Sequence, residues 1–244
     1  MIISNSKKFI FVHITKAAGT SIKKCLNDTL NWNDLIIGGT RFGETIQNFY
    51  NKKFNLHKHS RAIDIKKVIG EDLWNDYFTF TFVRNPYSRA VSLYTYIKKS
   101  VYSRGIKRHL RFFPIKRIQS DQFWNWPATK AFLETNNFSE FIRHGKLNLA
   151  LGSRPQNKWI MDENKNIIVD FIGKIESIDE DFKIISEKLQ MDLSELGMHN
   201  RSSNKRWDTY LRDEKDYEYL YKIYKKDFEI LGYDPDPLDR KIIQ

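Results

Sequence analysis

A chain of 244 residues, 41% hydrophobic and 14% aromatic, can bury one sizeable core or at most two small ones. No apolar run approaches the roughly 20 residues that span a bilayer, and the opening apolar run is too short and too soon interrupted for a secretion signal. The single cysteine, Cys25, excludes an intrachain disulfide and a cysteine-built zinc cluster. A soluble cytoplasmic protein is the expectation, and the formal charge of +11 favours anionic partners.

In chain order, "KFIFVHI" (residues 8–14) is a short apolar run bounded by polar residues, which suits a buried strand. Ile22, Cys25, Leu26 and Leu30 then recur at helical spacing, so "TSIKKCLNDTL" is an amphipathic helix starting near Gly19 or Thr20. "FTFTFVR" (78–84) alternates Phe with Thr as a second strand does, and Asn85 and Pro86 suit the start of the helix that follows. That helix carries a core stripe of Ala90, Leu93, Tyr94 and Ile97, with Arg89 and Ser92 opposite it, facing water or a ligand. From Lys98 to Ser120 the chain holds Lys98, Lys99, Arg104, Lys107, Arg108, Arg111, Lys116 and Arg117 without an acid, either a solvated face or a cationic rim.

"WIMDENKNIIVDFIGKIE" reads as two strands around a polar turn, and "DEDFKIISEKLQ" as a helix capped by Asp179. Tyr217, Leu220, Tyr221, Tyr224, Phe228 and Leu231 mark a last helix, stopped by Gly232 with Pro235 beyond it. No repeat or linker interrupts the chain, so a single domain over residues 1–244 is expected. Strands alternating with helices give an α/β fold with a central, mainly parallel sheet flanked by helices. Ligands of such sheets bind beyond the C-terminal strand ends, where Lys16 and Arg84 fall.

"FVHITKAAGTSI" (11–22) joins a strand to a helix through a lysine, a glycine and two hydroxyl residues. The helix start exposes unpaired N–H groups and a partial positive charge, and Lys16, Gly19, Thr20 and Ser21 add charge, close approach and hydroxyl donors. An ordinary tight turn with a solvated lysine is the plain alternative. The common phosphate loop, G-x-x-x-x-G-K-[ST], has its lysine after the last glycine, whereas Lys16 precedes Gly19. At the second junction, "FVRNPYSRAVSLY", Arg84 and the Ser92 hydroxyl supply groups that a second anion needs.

Together "HITKAAGTS" and "FVRNPYSRAVSLY" resemble the two nucleotide-binding signatures of sulfotransferases that use 3′-phosphoadenosine 5′-phosphosulfate (PAPS), in the branch of heparan, chondroitin and many bacterial carbohydrate enzymes. "LHKHSRA", "RPQNKWI", "VDFIGKIESIDEDF" and "NRSSNKRWDTYLRDE" are similar in order and spacing, so the resemblance runs in segments from about residue 9 to 233. It implies a P-loop-like sulfotransferase fold in which Lys16, Ala17, Ala18, Gly19, Thr20 and Ser21 hold the phosphosulfate end of PAPS. Lys16 would stabilise charge on the bridging oxygen, Arg84 and Ser92 would bind the 3′-phosphate, and Lys205, in "SSNKRW", would close on the nucleotide. The product is adenosine 3′,5′-bisphosphate (PAP). The family loop usually reads H-x-P-K; here Thr15 stands in place of the proline.

The acceptor hydroxyl must lose a proton, and histidine is the residue poised near neutral pH. "NLHKHSRA" offers His57 and His59; in an extended segment they share a face, so geometry leaves both open, while the resemblance favours His59. His13 reads as structural. No metal-binding pattern is present and the reaction needs none. The acceptor implied is an oligosaccharide or polysaccharide hydroxyl, acidic substrates being suited to the basic run, with residues 35–56 and 100–150 shaping its pocket; "WNW" (124–126) reads as packing more readily than as a sugar platform. The rivals are a P-loop kinase, opposed by the lysine order and the lack of an acidic Mg²⁺ motif, and a nucleic-acid-binding protein, which lacks a recognisable module.

Overall fold

The computed structural model describes residues 1–109, 122–191, 193 and 207–236. Contacts divide the chain into two compact units, residues 1–85 with 156–204 and residues 86–155 with 205–244. Among the described residues no helix is long and apolar enough to cross a membrane.

The first unit is built on a five-stranded sheet. Its strands are β1 (Ile2–Ser4), β2 (Phe9–Val12), β3 (Leu35–Ile36), β4 (Phe78–Val83) and β5 (Phe171–Lys174), in the order β3-β1-β2-β4-β5. β2, β4 and β5 run parallel, and β1 extends them antiparallel to both β2 and β3. Helix α1 (Gly19–Asn27) follows β2, and α2 (Arg41–Phe54), α3 (Ala62–Ile69) and α4 (Glu71–Asp76) fill the connection to β4.

The Phe/Thr alternation of β4 separates two buried surfaces rather than core from water, as suits an inner strand of a parallel sheet. Phe80 and Phe82 join Phe9, Phe11, Ile22, Leu26 and Phe182 in one apolar cluster. Each such buried phenylalanine contributes about 2–3 kcal/mol. Thr79 and Thr81 are also buried, and their hydroxyls donate to the Asp170 carboxylate at 2.8 Å and to the Val12 carbonyl at 2.7 Å. Those bonds leave neither hydroxyl stranded in the interior.

Of the two strands expected around the polar turn in residues 159–176, only the tip of a hairpin is formed. Trp159 and Ile160 end the one-turn helix Asn157–Ile160, Met161 and Ile167 make a single antiparallel bridge, and only Phe171–Lys174 becomes a strand, paired with β4. The polar turn itself is closed by the Asn166 amide donating to Asp162 Oδ1 at 2.8 Å and the Asp162 amide donating to the Asn166 carbonyl at 2.9 Å, and one further backbone bond, from the Ile168 amide to the Ile160 carbonyl at 2.9 Å, follows the bridge. The next helix, Ile178–Leu189, begins after Ser177 and not at Asp179; Asp181 is the acid that ties the junction, accepting from the Lys174 amide and the Ser177 hydroxyl.

The second unit packs α5 (Pro86–His109) with the helix Glu214–Leu231 and the short helices Pro127–Leu133 and Phe138–Arg143. The stripe Ala90, Leu93, Tyr94 and Ile97 is buried as the spacing requires. Tyr94 contacts the rings of Phe132, Phe138 and Phe141 at centroid distances of 5.1–5.4 Å, and Tyr87 meets Phe228 at 4.8 Å. Gly232, at φ 63, ends the last helix in the left-handed conformation that glycine adopts without strain. Phe123 makes edge-to-face contacts with Trp124 and Trp126, and the Arg104 guanidinium lies 4.5 Å from its ring; Trp124 packs against the core, whereas Trp126 stays 43% exposed.

Arg89 corrects the helical-wheel expectation. It is only 1% exposed, and its Nη1 donates to the Arg154 carbonyl at 2.8 Å. Burial lowers its pKa, opposed by Tyr224 and by the buried Asp227. α5 is covered on this side too, so Arg89 holds its own unit together and faces neither water nor a ligand.

Candidate active site

β2 and β4 are adjacent and parallel, with Val12 opposite Thr81, so Lys16 and Arg84 both follow C-terminal strand ends of one sheet. In the loop after β2, Lys16 and Ala18 have φ of 65° and 49°. Neither is glycine, and a Cβ in this region is strained unless the surroundings enforce it. Ser21 and Ile22 donate to the Ala18 carbonyl at 2.9 and 3.2 Å, the first bonds of α1. Among the described residues no acceptor takes the amides of Ala18, Gly19 and Thr20. Successive amides turned by left-handed residues at a helix start form a concave donor surface suited to an anion. Ala17 is buried, Ser21 is half-buried and Thr20 is exposed.

Gly19 has a specific reason to be glycine. A Cβ there would lie 1.9 Å from Cδ2 and 2.0 Å from Nε2 of His13. His13 continues the aromatic row of Phe9 and Phe11 beyond β2, stacks on Phe11 at 5.9 Å, and is 7% exposed. Burial above all, and then His59, hold its pKa well below the ordinary value.

Residues 57–60 form a turn, not an extended segment, so the two histidines of "LHKHS" do different things. His57 Nδ1 accepts the His59 amide at 3.1 Å, and the His57 amide donates to Ser60 Oγ at 2.8 Å. The His59 ring lies 4.4 Å from that of His13, and its Nδ1–H donates to the His13 carbonyl at 3.0 Å. That bond places the proton on Nδ1 and leaves Nε2 as the ring's lone pair. Burial, against the pull of the His13 carbonyl and with nearby cations including Lys58, lowers the His59 pKa to about 3. The ring is therefore neutral at pH 7, and not poised near neutrality as an ordinary histidine is.

This burial predicts acid sensitivity. The unfolded chain protonates His59 below the ordinary 6.5, whereas the folded ring stays neutral down to about 3. The stability it contributes is complete above pH 6.5 and is lost as pH falls from there towards 3, at about 1.4 kcal/mol per pH unit. Urea unfolding at pH 7.5, 6 and 5 should show a steeper decline for the wild type than for His59→Gln. Parallel curves for the two proteins would remove His59 as the cause.

Two buried residues without a role in the sequence reading hold this region. Gln156 is 0% exposed; its Oε1 accepts the Arg84 amide at 2.9 Å and its Nε2 donates to the Arg84 carbonyl at 2.7 Å. Lys23, on α1, is 6% exposed and donates to the Gly38 carbonyl at 3.0 Å; burial, then Lys58, lowers its pKa to about 8. The nearest sequence signal was their place in an amphipathic helix and in "RPQNKWI", and neither reveals a contact so distant along the chain. Ser92 lies in the second unit, half-buried on α5. Lys205 and residues 202–206 lie outside the described residues, as do Arg111, Lys116, Arg117 and His199. Among the described residues no group of three His, Cys, Asp or Glu could hold a metal ion.

The sulfotransferase family model matches residues 1–234. The chain belongs to the sulfotransferase family. No curated protein and no solved structure matches it. The membership leaves the kinase and nucleic-acid readings without support.

Proposed function

We propose that this sulfotransferase takes its sulfuryl group from PAPS and passes it to a carbohydrate hydroxyl, with His59 as the base. The observation that carries the reading is the loop from Lys16 to Ser21, whose left-handed Lys16 and Ala18 turn unclaimed helix-start amides into one concavity. That surface fits the phosphosulfate end of the donor, which supplies the transferable group. Lys16 answers charge growing on the bridging oxygen as the bond to sulfur breaks. Arg84 takes the 3′-phosphate, and the motif resemblance gives Ser92 to the same phosphate and Lys205 to the nucleotide.

As the acceptor oxygen bonds to sulfur its proton becomes strongly acidic, so a weak base suffices late in the displacement. His59 Nε2 receives that proton, while the Nδ1–H bond to the His13 carbonyl fixes the ring. The donor's negative charge nearby would also raise the His59 pKa above about 3. Thermal shift tests the donor class: PAP should stabilise the protein without metal, ATP with Mg²⁺ less, and oligonucleotides little. Stabilisation by ATP–Mg²⁺ alone would overturn the PAPS assignment. Arg84→Ala should weaken PAP binding by about 2 kcal/mol or more, because a phosphate loses its charged partner. Unchanged affinity in calorimetry would remove Arg84 from the 3′-phosphate site.

A further inference from the structure

We infer that the segment from Gln156 to Trp159, through its buried residues Gln156 and Trp159, is the positioning element of the active site, setting Arg84 with one residue and His59 with the other. The inference rests on the proposed roles of those two residues. β4 ends at Val83, where its pairing with β5 also ends, at Lys174. The Gln156 carboxamide then takes both backbone groups of Arg84, at 2.9 and 2.7 Å, as a neighbouring strand would. It thereby fixes the backbone from which the Arg84 side chain departs. Trp159, 1% exposed, donates its indole N–H to the His59 carbonyl at 2.9 Å. With the His59 amide held by His57 and the ring held by the His13 carbonyl, every polar handle of the base except Nε2 is engaged.

Gln156 and Trp159 stand three apart at the start of one helical turn, so they share a side of it, and one small rigid body reaches both functional residues. A buried carboxamide is an expensive way to fill space, since an apolar residue of similar volume avoids desolvating it. What the amide adds is placement. Neither residue touches the reacting atoms in this assignment; both act through the residue they hold.

The test separates the two arms. Gln156→Met keeps the volume and loses both bonds to Arg84; PAP affinity in calorimetry should fall about tenfold, while nitrogen-15 NMR of the histidines finds His59 still in the Nδ1–H tautomer. Trp159→Phe removes the indole N–H; PAP affinity should stay within twofold, while the His59 imidazole loses its single tautomer and titrates closer to 6.5, the ordinary histidine value. A merely structural segment would lower the melting temperature and degrade both readouts alike in either variant, and that result overturns the inference. So does a Gln156→Met protein that binds PAP as the wild type does. If Gln156→Met does not fold, Gln156→Glu retains the acceptor for the Arg84 amide, and its PAP affinity should lie below the wild type's; equality overturns the Arg84 arm. A wild type that fails to bind PAP overturns the donor reading itself, and the Trp159→Phe spectra still decide the His59 arm.

Discussion

His59→Ala should lose on the order of 10² to 10⁴ in turnover while PAP affinity stays near the wild type's, the usual size of a general-base deletion. The base acts only as the acceptor oxygen bonds to sulfur, so its removal withdraws stabilisation from the transition state and not from the bound donor. Its ring offers only Nε2, because Nδ1–H is committed to the His13 carbonyl at 3.0 Å. His57→Ala should lose much less: its ring accepts the His59 amide and supports the turn without facing the acceptor in this reading. The comparison is single-turnover sulfuryl transfer to whichever hydroxylated acceptor the wild type uses in a screen of neutral and acidic oligosaccharides. Full activity in His59→Ala refutes the base assignment, and loss of PAP binding together with activity points to a damaged fold.

Gly19→Ala is the second large effect. The added carbon would sit 1.9 Å from His13 Cδ2, well inside contact distance. The ring cannot easily retreat, because it is buried between Phe11 and His59. Overpacking of this kind costs about 3 kcal/mol or more, and relief by shifting the loop would disarrange the anion-facing amides. Melting temperature and PAP affinity should therefore fall together. His13→Ala added to Gly19→Ala should restore part of the stability, a coupling that two independent sites would not show. A Gly19→Ala protein with wild-type melting and binding would mean that His13 does not occupy this space.

The parts legible in the sequence were those with local periodicity. The apolar run at residues 8–14, which holds β2, the Phe/Thr strand and the last helix each carried their own pattern, and the helix start near Gly19 carried a motif. β1 and β3 were not read, because strands of three and two residues are too short to show alternation. Arg89 was misplaced because a helical wheel assumes one covered face, whereas α5 buries that arginine as well. The roles of Gln156 and Trp159 were invisible for another reason. Their bonds reach 72 and 100 residues back along the chain, and a side chain that grips a distant backbone leaves no local trace. His57 and His59 could be told apart only once residues 57–60 proved to be a turn.

The absence of glycine at Lys16 and Ala18 has a thermodynamic consequence. A phosphate loop rich in glycine samples many backbone states when empty and must be ordered by its ligand. Alanine and lysine at φ 49° and 65° have a narrow left-handed well, and only the surrounding fold keeps them in it. Such a loop is preorganised, so donor capture proceeds with little opposing conformational entropy. The cost of shaping the anion site is met when the chain folds, before any donor arrives.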